Sequence, residues 1–160
     1  MKRHQQTEGF SLIELLIVVT IIGIIASMAI PNLMAARRAA NEGSAQQSLR
    51  TIYTAEVTYQ TTAGSGQFGT LAQLGSQRLV DSVLAGSTAT AKSGYLFTVN
   101  PVAGSPALLW AYALPVTTSG AGKTGTRRFG ITEEGVLRGD TTLSAPADEA
   151  AVTAIPAVGN

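Results

Sequence analysis

The chain has 160 residues, with 11 lysines and arginines against 10 aspartates and glutamates and a net charge of +1, so no bulk field recruits nucleic acid. It has no cysteine, which excludes disulfides, and only 13% of its residues are charged, so its surface is kept soluble by hydroxyls and amides more than by ions. The length allows one small core beyond a single membrane-sized segment.

Residues 1–9 are polar and net basic, with Lys2, Arg3 and His4 ahead of Glu8 and Gly9, the type of flank that stays cytoplasmic. Residues 10–30 follow, apolar but for Glu14 and a few hydroxyls, and Pro31 stands at their end. As a helix they measure about 31 Å, which matches a hydrocarbon core of roughly 30 Å. Arg37 and Arg38 lie just beyond, so charge alone says little about orientation.

Two processing routes compete for this segment. Ser27-Met28-Ala29 has the small-x-small pattern of a leader cleavage site and would release a soluble protein starting at Ile30. Glu14 argues against that route. A lone carboxylate one turn into a membrane segment costs about 2.5–3.5 kcal/mol and is retained for a specific partner, yet residues 10–30 contain no Lys, Arg or His. Cleavage after Gly9 creates the missing cation. The new amine at Phe10 is four residues from Glu14, one helical turn, or meets the Glu14 of a staggered neighbour and neutralises both charges.

These residues carry a resemblance. Lys2-Arg3 through Gly9, then Phe10-Ser11-Leu12-Ile13-Glu14-Leu15-Leu16-Ile17-Val18-Val19, with Gly23 and Ile30-Pro31-Asn32-Leu33, resemble the class III leader and N-terminal helix of type IV prepilins and pseudopilins, most closely a cysteine-free major type IV pilin. The resemblance implies that a membrane aspartyl prepilin peptidase cuts between Gly9 and Phe10 and N-methylates the Phe10 amine. It implies that Glu14 neutralises a neighbour's amine during assembly, and that the helix kinks or melts between Gly23 and Pro31. A Pro inside a helix removes a hydrogen bond and a Gly loosens it; the plainer reading is that Pro31 ends the membrane helix.

Residues 32–62 read as the amphipathic second half of one long helix. Leu33, Ala36, Ala40, Ala45, Leu49, Ile52, Ala55 and Tyr59 recur at helical spacing, with Arg37, Arg38, Glu42, Arg50 and Glu56 largely elsewhere. Asn41 and Gly43 weaken the pattern and allow a bend. Arg37-Arg38 reads as an interfacial pair; a nucleic-acid patch is the weaker alternative and has no further support. Ala63-Gly64-Ser65-Gly66 ends the helix. Residues 68–84 hold short apolar clusters suited to a one- or two-turn helix, and 86–94 form a small-residue connector.

Strands follow. Tyr95, Phe97 and Val99 alternate with Leu96 and Thr98 up to Asn100-Pro101; Leu108, Trp110, Tyr112 and Leu114 alternate up to Pro115. Arg128-Phe129-Gly130-Ile131-Thr132 and Val136-Leu137-Arg138 flank a turn at Glu133-Glu134-Gly135. Phe97, Trp110, Tyr112 and Phe129 are assigned to the core. Residues 141–160 are an extended tail or an edge segment on the sheet.

No enzyme chemistry emerges. Thr117-Thr118-Ser119-Gly120-Ala121-Gly122-Lys123-Thr124 ends like a phosphate-binding loop, but Thr117 replaces the first Gly and no helix follows. The one histidine, His4, lies in the leader, and Glu133, Glu134 and Asp140 lack the spacing of a calcium loop. Hence no catalytic residue, cofactor or metal is expected.

The fold class expected is α+β: a long bent N-terminal helix, transmembrane in its first half, packed on a three- or four-stranded antiparallel sheet. Its divisions are a leader at 1–9, a transmembrane and filament-core helix at 10–31, its amphipathic continuation at 32–62, a connecting region at 63–94, the sheet at 95–140 and a tail at 141–160. The site residues are Gly9 and Phe10 for processing, Glu14 for assembly, and Gly23 and Pro31 for the kink. The resemblance implies a single-pass inner-membrane precursor that polymerises with copies of itself into a surface pilus for adhesion, motility or DNA uptake. The prepilin peptidase, an inner-membrane assembly platform and a separate motor ATPase are the other implied partners. The alternatives are a pseudopilin of a type II secretion system and a secreted binding domain cleaved after Ala29.

Overall fold

The computed structural model describes residues 9–86 and 89–159. Leader residues 1–8, Ser87 and Thr88 of the connector, and Asn160 of the tail lie outside the described residues. Two compact units divide the chain, Met1–Ala36 and Arg37–Asn160, and each is described by itself.

In the first unit residues 9–11 are non-helical and α1, which spans Leu12–Thr61, begins. Its large side chains from Leu12 to Leu33 are exposed. The few polar groups in the run bond to its own backbone: Thr20 Oγ1 donates to Leu16 O at 2.8 Å and Ser27 Oγ to Ile24 O at 2.7 Å. Such internal satisfaction is what hydrocarbon demands of a hydroxyl. Pro31 lies inside α1, so it does not end the helix.

In the second unit α1 buries Ala45, Ser48, Leu49, Ile52, Ala55, Glu56 and Tyr59. The expected stripe is therefore present from Ala45 onward, while Ala40 is exposed. Glu56 departs from expectation: it lies four residues after Ile52 and three before Tyr59, so helical geometry turns it inward. Asn41 and Gly43 do not interrupt the helix. Asn41 Nδ2 instead donates to Thr124 O at 2.9 Å, and Glu42 Oε1 accepts from the amide and the hydroxyl of Thr126, each at 2.8 Å. After Thr61 the amides of Gly64 and Gly66 donate to Tyr59 O and Gln60 O. Gly66 takes a φ of 88° there, which favours glycine.

Two short helices fill the connection. α2, Leu71–Ser76, starts at a capping box of Thr70 and Gln73, and α3, Ser82–Ala85, is capped by the Asp81 carboxylate. Leu71, Leu74 and Leu84 enter the core.

The sheet is an antiparallel meander of four strands, β1 Tyr95–Val102, β2 Leu108–Pro115, β3 Arg128–Thr132 and β4 Arg138–Asp140, in that spatial order. Tyr95, Phe97, Val99, Leu109, Ala111, Ala113, Phe129 and Ile131 form its inner face and share one core with α1. Three expectations change. Asn100-Pro101 does not end β1, because Pro101 pairs with Leu109 on a strand whose one ladder neighbour is β2; an edge position tolerates the missing N–H. Trp110 and Tyr112 are not core. The pleat turns Leu109, Ala111 and Ala113 inward, and the two aromatics stack on the other face with ring centroids 5.8 Å apart. Finally, Val136 and Leu137 do not extend β4. The end of β3 stays on β2 through Trp110 opposite Thr132 and the Glu133 amide on Leu109 O.

The tail supplies an edge segment and one element the sequence reading lacked. Val158 N donates to Leu137 O, Gly139 N to Pro156 O, and Arg138 bridges to Ala157. Before this, α4, Glu149–Thr153, capped by Asp148, buries Val152 on the outer face of the sheet beside Gly130.

Candidate assembly site

Gly9 and Phe10 sit in the irregular backbone immediately before α1, and the Phe10 side chain is 77% exposed. An exposed, non-helical segment is what a peptidase needs in order to draw a scissile bond into its cleft. Glu14 is the third residue of α1, where Oε2 accepts from the amide of Ser11 at 3.0 Å. This is half of a capping box, and it also sets an anion on the positive end of the helix. Among the described residues Glu14 therefore has a local partner, an amide and not a cation.

Gly9, Phe10 and Glu14 are brought together at the head of α1; Gly23 and Pro31 lie further along the same helix and form no cluster with them. An added Cβ at Gly23 would meet nothing within 4 Å, so the intrachain packing does not require glycine there. Arg37 is exposed and Arg38 half-buried, and neither forms an ion pair among the described residues.

The remaining sequence candidates are held by other contacts. The 117–124 loop closes on itself, with Thr124 N donating to Thr117 O and Thr117 N to Thr124 Oγ1. Asp140 is gripped by Arg128 through Nε at 2.8 Å and Nη2 at 2.9 Å, which holds its carboxyl below the usual range. Glu133 accepts from the Leu109 amide and Glu134 pairs with Arg138. Burial and then repulsion from Glu133 push Glu149 up. Among the described residues no group of three or more Asp, Glu, His or Cys could hold a metal ion. Sequence reasoning missed Glu56, although its spacing from Ile52 and Tyr59 was the available signal.

The family described as the prokaryotic N-terminal methylation motif matches residues 5–30, which include Gly9, Phe10, Glu14 and Gly23. The type IV major pilin protein PilA of Myxococcus xanthus is 43% identical over 56 residues, 35% of this chain and 26% of that protein. The type IV wide pilus major component PilA4 of Thermus thermophilus is 58% identical over 38 residues, 24% of this chain and 29% of its own. The N-terminal segment thus carries the methylation motif and is similar to those of two type IV major pilins. The chain spans between a quarter and a third of the length of these two pilins. No solved structure matches it significantly. The α+β architecture, a long apolar N-terminal helix with a four-stranded antiparallel sheet, is of the pilin kind.

Proposed function

We propose that this protein is the structural subunit of a type IV pilus. The observation that carries the reading is the head of α1: an exposed Gly9-Phe10 segment, a carboxylate one turn on, and an exposed apolar helical face from Leu12 to Leu33. Such a face needs lipid before assembly and neighbouring helices after it. Cleavage between Gly9 and Phe10 by a prepilin peptidase converts the Phe10 nitrogen into a methylated cation. That cation meets Glu14 of a neighbouring subunit, replacing the Ser11 amide with a charged partner. Gly23 and Pro31 supply the soft points of the helix, and residues 10–31 become the filament core.

The precursor spans the inner membrane once, with the sheet outside the cytoplasm. Extraction and polymerisation draw on an inner-membrane assembly platform and a separate motor ATPase. The finished fibre serves adhesion, motility or DNA uptake. The similarity to two major pilus components favours a pilus over a secretion pseudopilus. Release after Ala29 is disfavoured because Ser27-Met28-Ala29 lies within α1, and a leader peptidase cuts extended backbone.

The test is the intact mass and first residue of the mature chain after expression with a prepilin peptidase. Methylated Phe10 is the expected start, whereas a chain starting at Ile30 overturns the reading. Glu14→Ala is expected to insert and be cleaved normally while filament yield falls at least tenfold. Normal filaments from that variant would remove Glu14 from assembly.

A further inference from the structure

Glu56 is 0% exposed. Its Oε2 accepts from the Gly69 amide at 2.8 Å, while Oε1 is buried with no hydrogen-bond partner among the described residues. Among the described residues no lysine or arginine compensates it: burial raises its titration and the hydrogen bond from the Gly69 amide opposes this. On α1 the nearest ionisable groups are Tyr53 and Tyr59, three residues to either side. The 62–70 connection, α2 and α3 carry no ionisable side chain. On β1, Tyr95 gives its hydroxyl to Arg127 O; on β3, Arg128 is taken by Asp140.

The carboxylate sits at a joint. Gly64 and Gly69 both lie against the Tyr59 ring, where an added Cβ at either would come within 2.9 Å of it. The backbone is thus folded closely around that ring, and the Glu56 bond fastens it one residue before the N-cap of α2. Beyond α2, Leu79 forms one wall of a surface groove whose other wall is the α1 face of Gln47, Arg50, Thr54 and Thr58.

We propose that Glu56 is a proton-operated latch: neutral, it holds the 62–70 connection closed over Tyr59, and ionised, it loosens that connection together with α2. The neutral acid keeps its acceptor on Gly69 and leaves one hydroxyl unpaired. The anion leaves a buried charge with a single amide donor, a far larger penalty that is relieved by opening to water. Burial pushes the carboxyl to about 7, so the latch responds near neutrality.

The experiment uses the full chain in detergent micelles. Amide exchange at Gly69 and Thr70, corrected for intrinsic base catalysis, is compared at pH 6 and pH 8 with that at Leu49 in the middle of the buried stripe. Exchange at the two latch amides is expected to rise about tenfold relative to Leu49, the gain that one pK unit of linkage gives, and Glu56→Gln is expected to abolish the rise. A carbon-13 titration of the Glu56 carboxyl reads the same event and should have a midpoint near 7. A midpoint at the ordinary carboxylate value, or equal responses at Gly69 and Leu49, overturns the latch. The Leu49 comparison needs no variant, and neither readout depends on filament formation.

Discussion

At Gly130 an added Cβ would lie 2.7 Å from Cγ1 of Val152 and 3.5 Å from Ala111 O, because α4 packs on β3 at that residue. Valine is stiff at χ1 and cannot swing away, so Gly130→Ala should destabilise the protein by about 1–3 kcal/mol as overpacking does. Urea unfolding of the full chain measures this, and Val152→Ala in the same chain should restore much of the loss; no rescue would mean that the strain lies elsewhere. No alternation pattern points to this contact, since it depends on a helix some twenty residues later in the chain. Glu14 is the opposite case. A single carboxylate in an uninterrupted apolar run is conspicuous without coordinates, because its desolvation demands a partner.

Among the elements, α1 was legible in both halves: an apolar run without a break, then a stripe at helical spacing. The stretch around Asn41 and Gly43 looked like a weak point and is an anchor. Its polar side chains face the loop between β2 and β3 and hold Thr124 and Thr126. Glu42→Ala removes both bonds to Thr126, and should destabilise the fold by about 1–2 kcal/mol and speed exchange at the Thr126 amide. Unchanged exchange there would show that the loop holds itself closed. Strands were recognisable by alternation, but their ends were not. Pro101 belongs to β1 because β1 is an edge strand, and β4 is cut short because Thr132 and Glu133 stay with β2. Which neighbour wins a backbone amide is a competition across the sheet, invisible in any one segment.

Over the whole molecule, two carboxyls shape stability against pH in opposite directions. Asp140 is held low by Arg128, so its contribution is present above the ordinary carboxylate value and is lost as pH falls through its depressed value. Glu56 is raised from 4.5 to about 7, so its contribution is complete below 4.5 and is lost as pH rises through 7. Together they place their joint optimum near pH 4–5, with a loss of up to about 3 kcal/mol by pH 8. Chemical unfolding of the full chain in detergent across pH 4–9 should show the alkaline fall, and Glu56→Gln should flatten it; a parallel fall in the variant would assign it to other groups. The sequence by itself determined the long apolar helix and the α+β order, and it singled out Gly9-Phe10 and Glu14 as the candidate processing and assembly residues, because each rests on local hydrophobicity, spacing or an unpaired charge. Only the tertiary structure decided the strand ends, the outward aromatics, the docking of α4 and the burial of Glu56. These depend on which surfaces meet, and a chain read in order does not say what will lie on top of it.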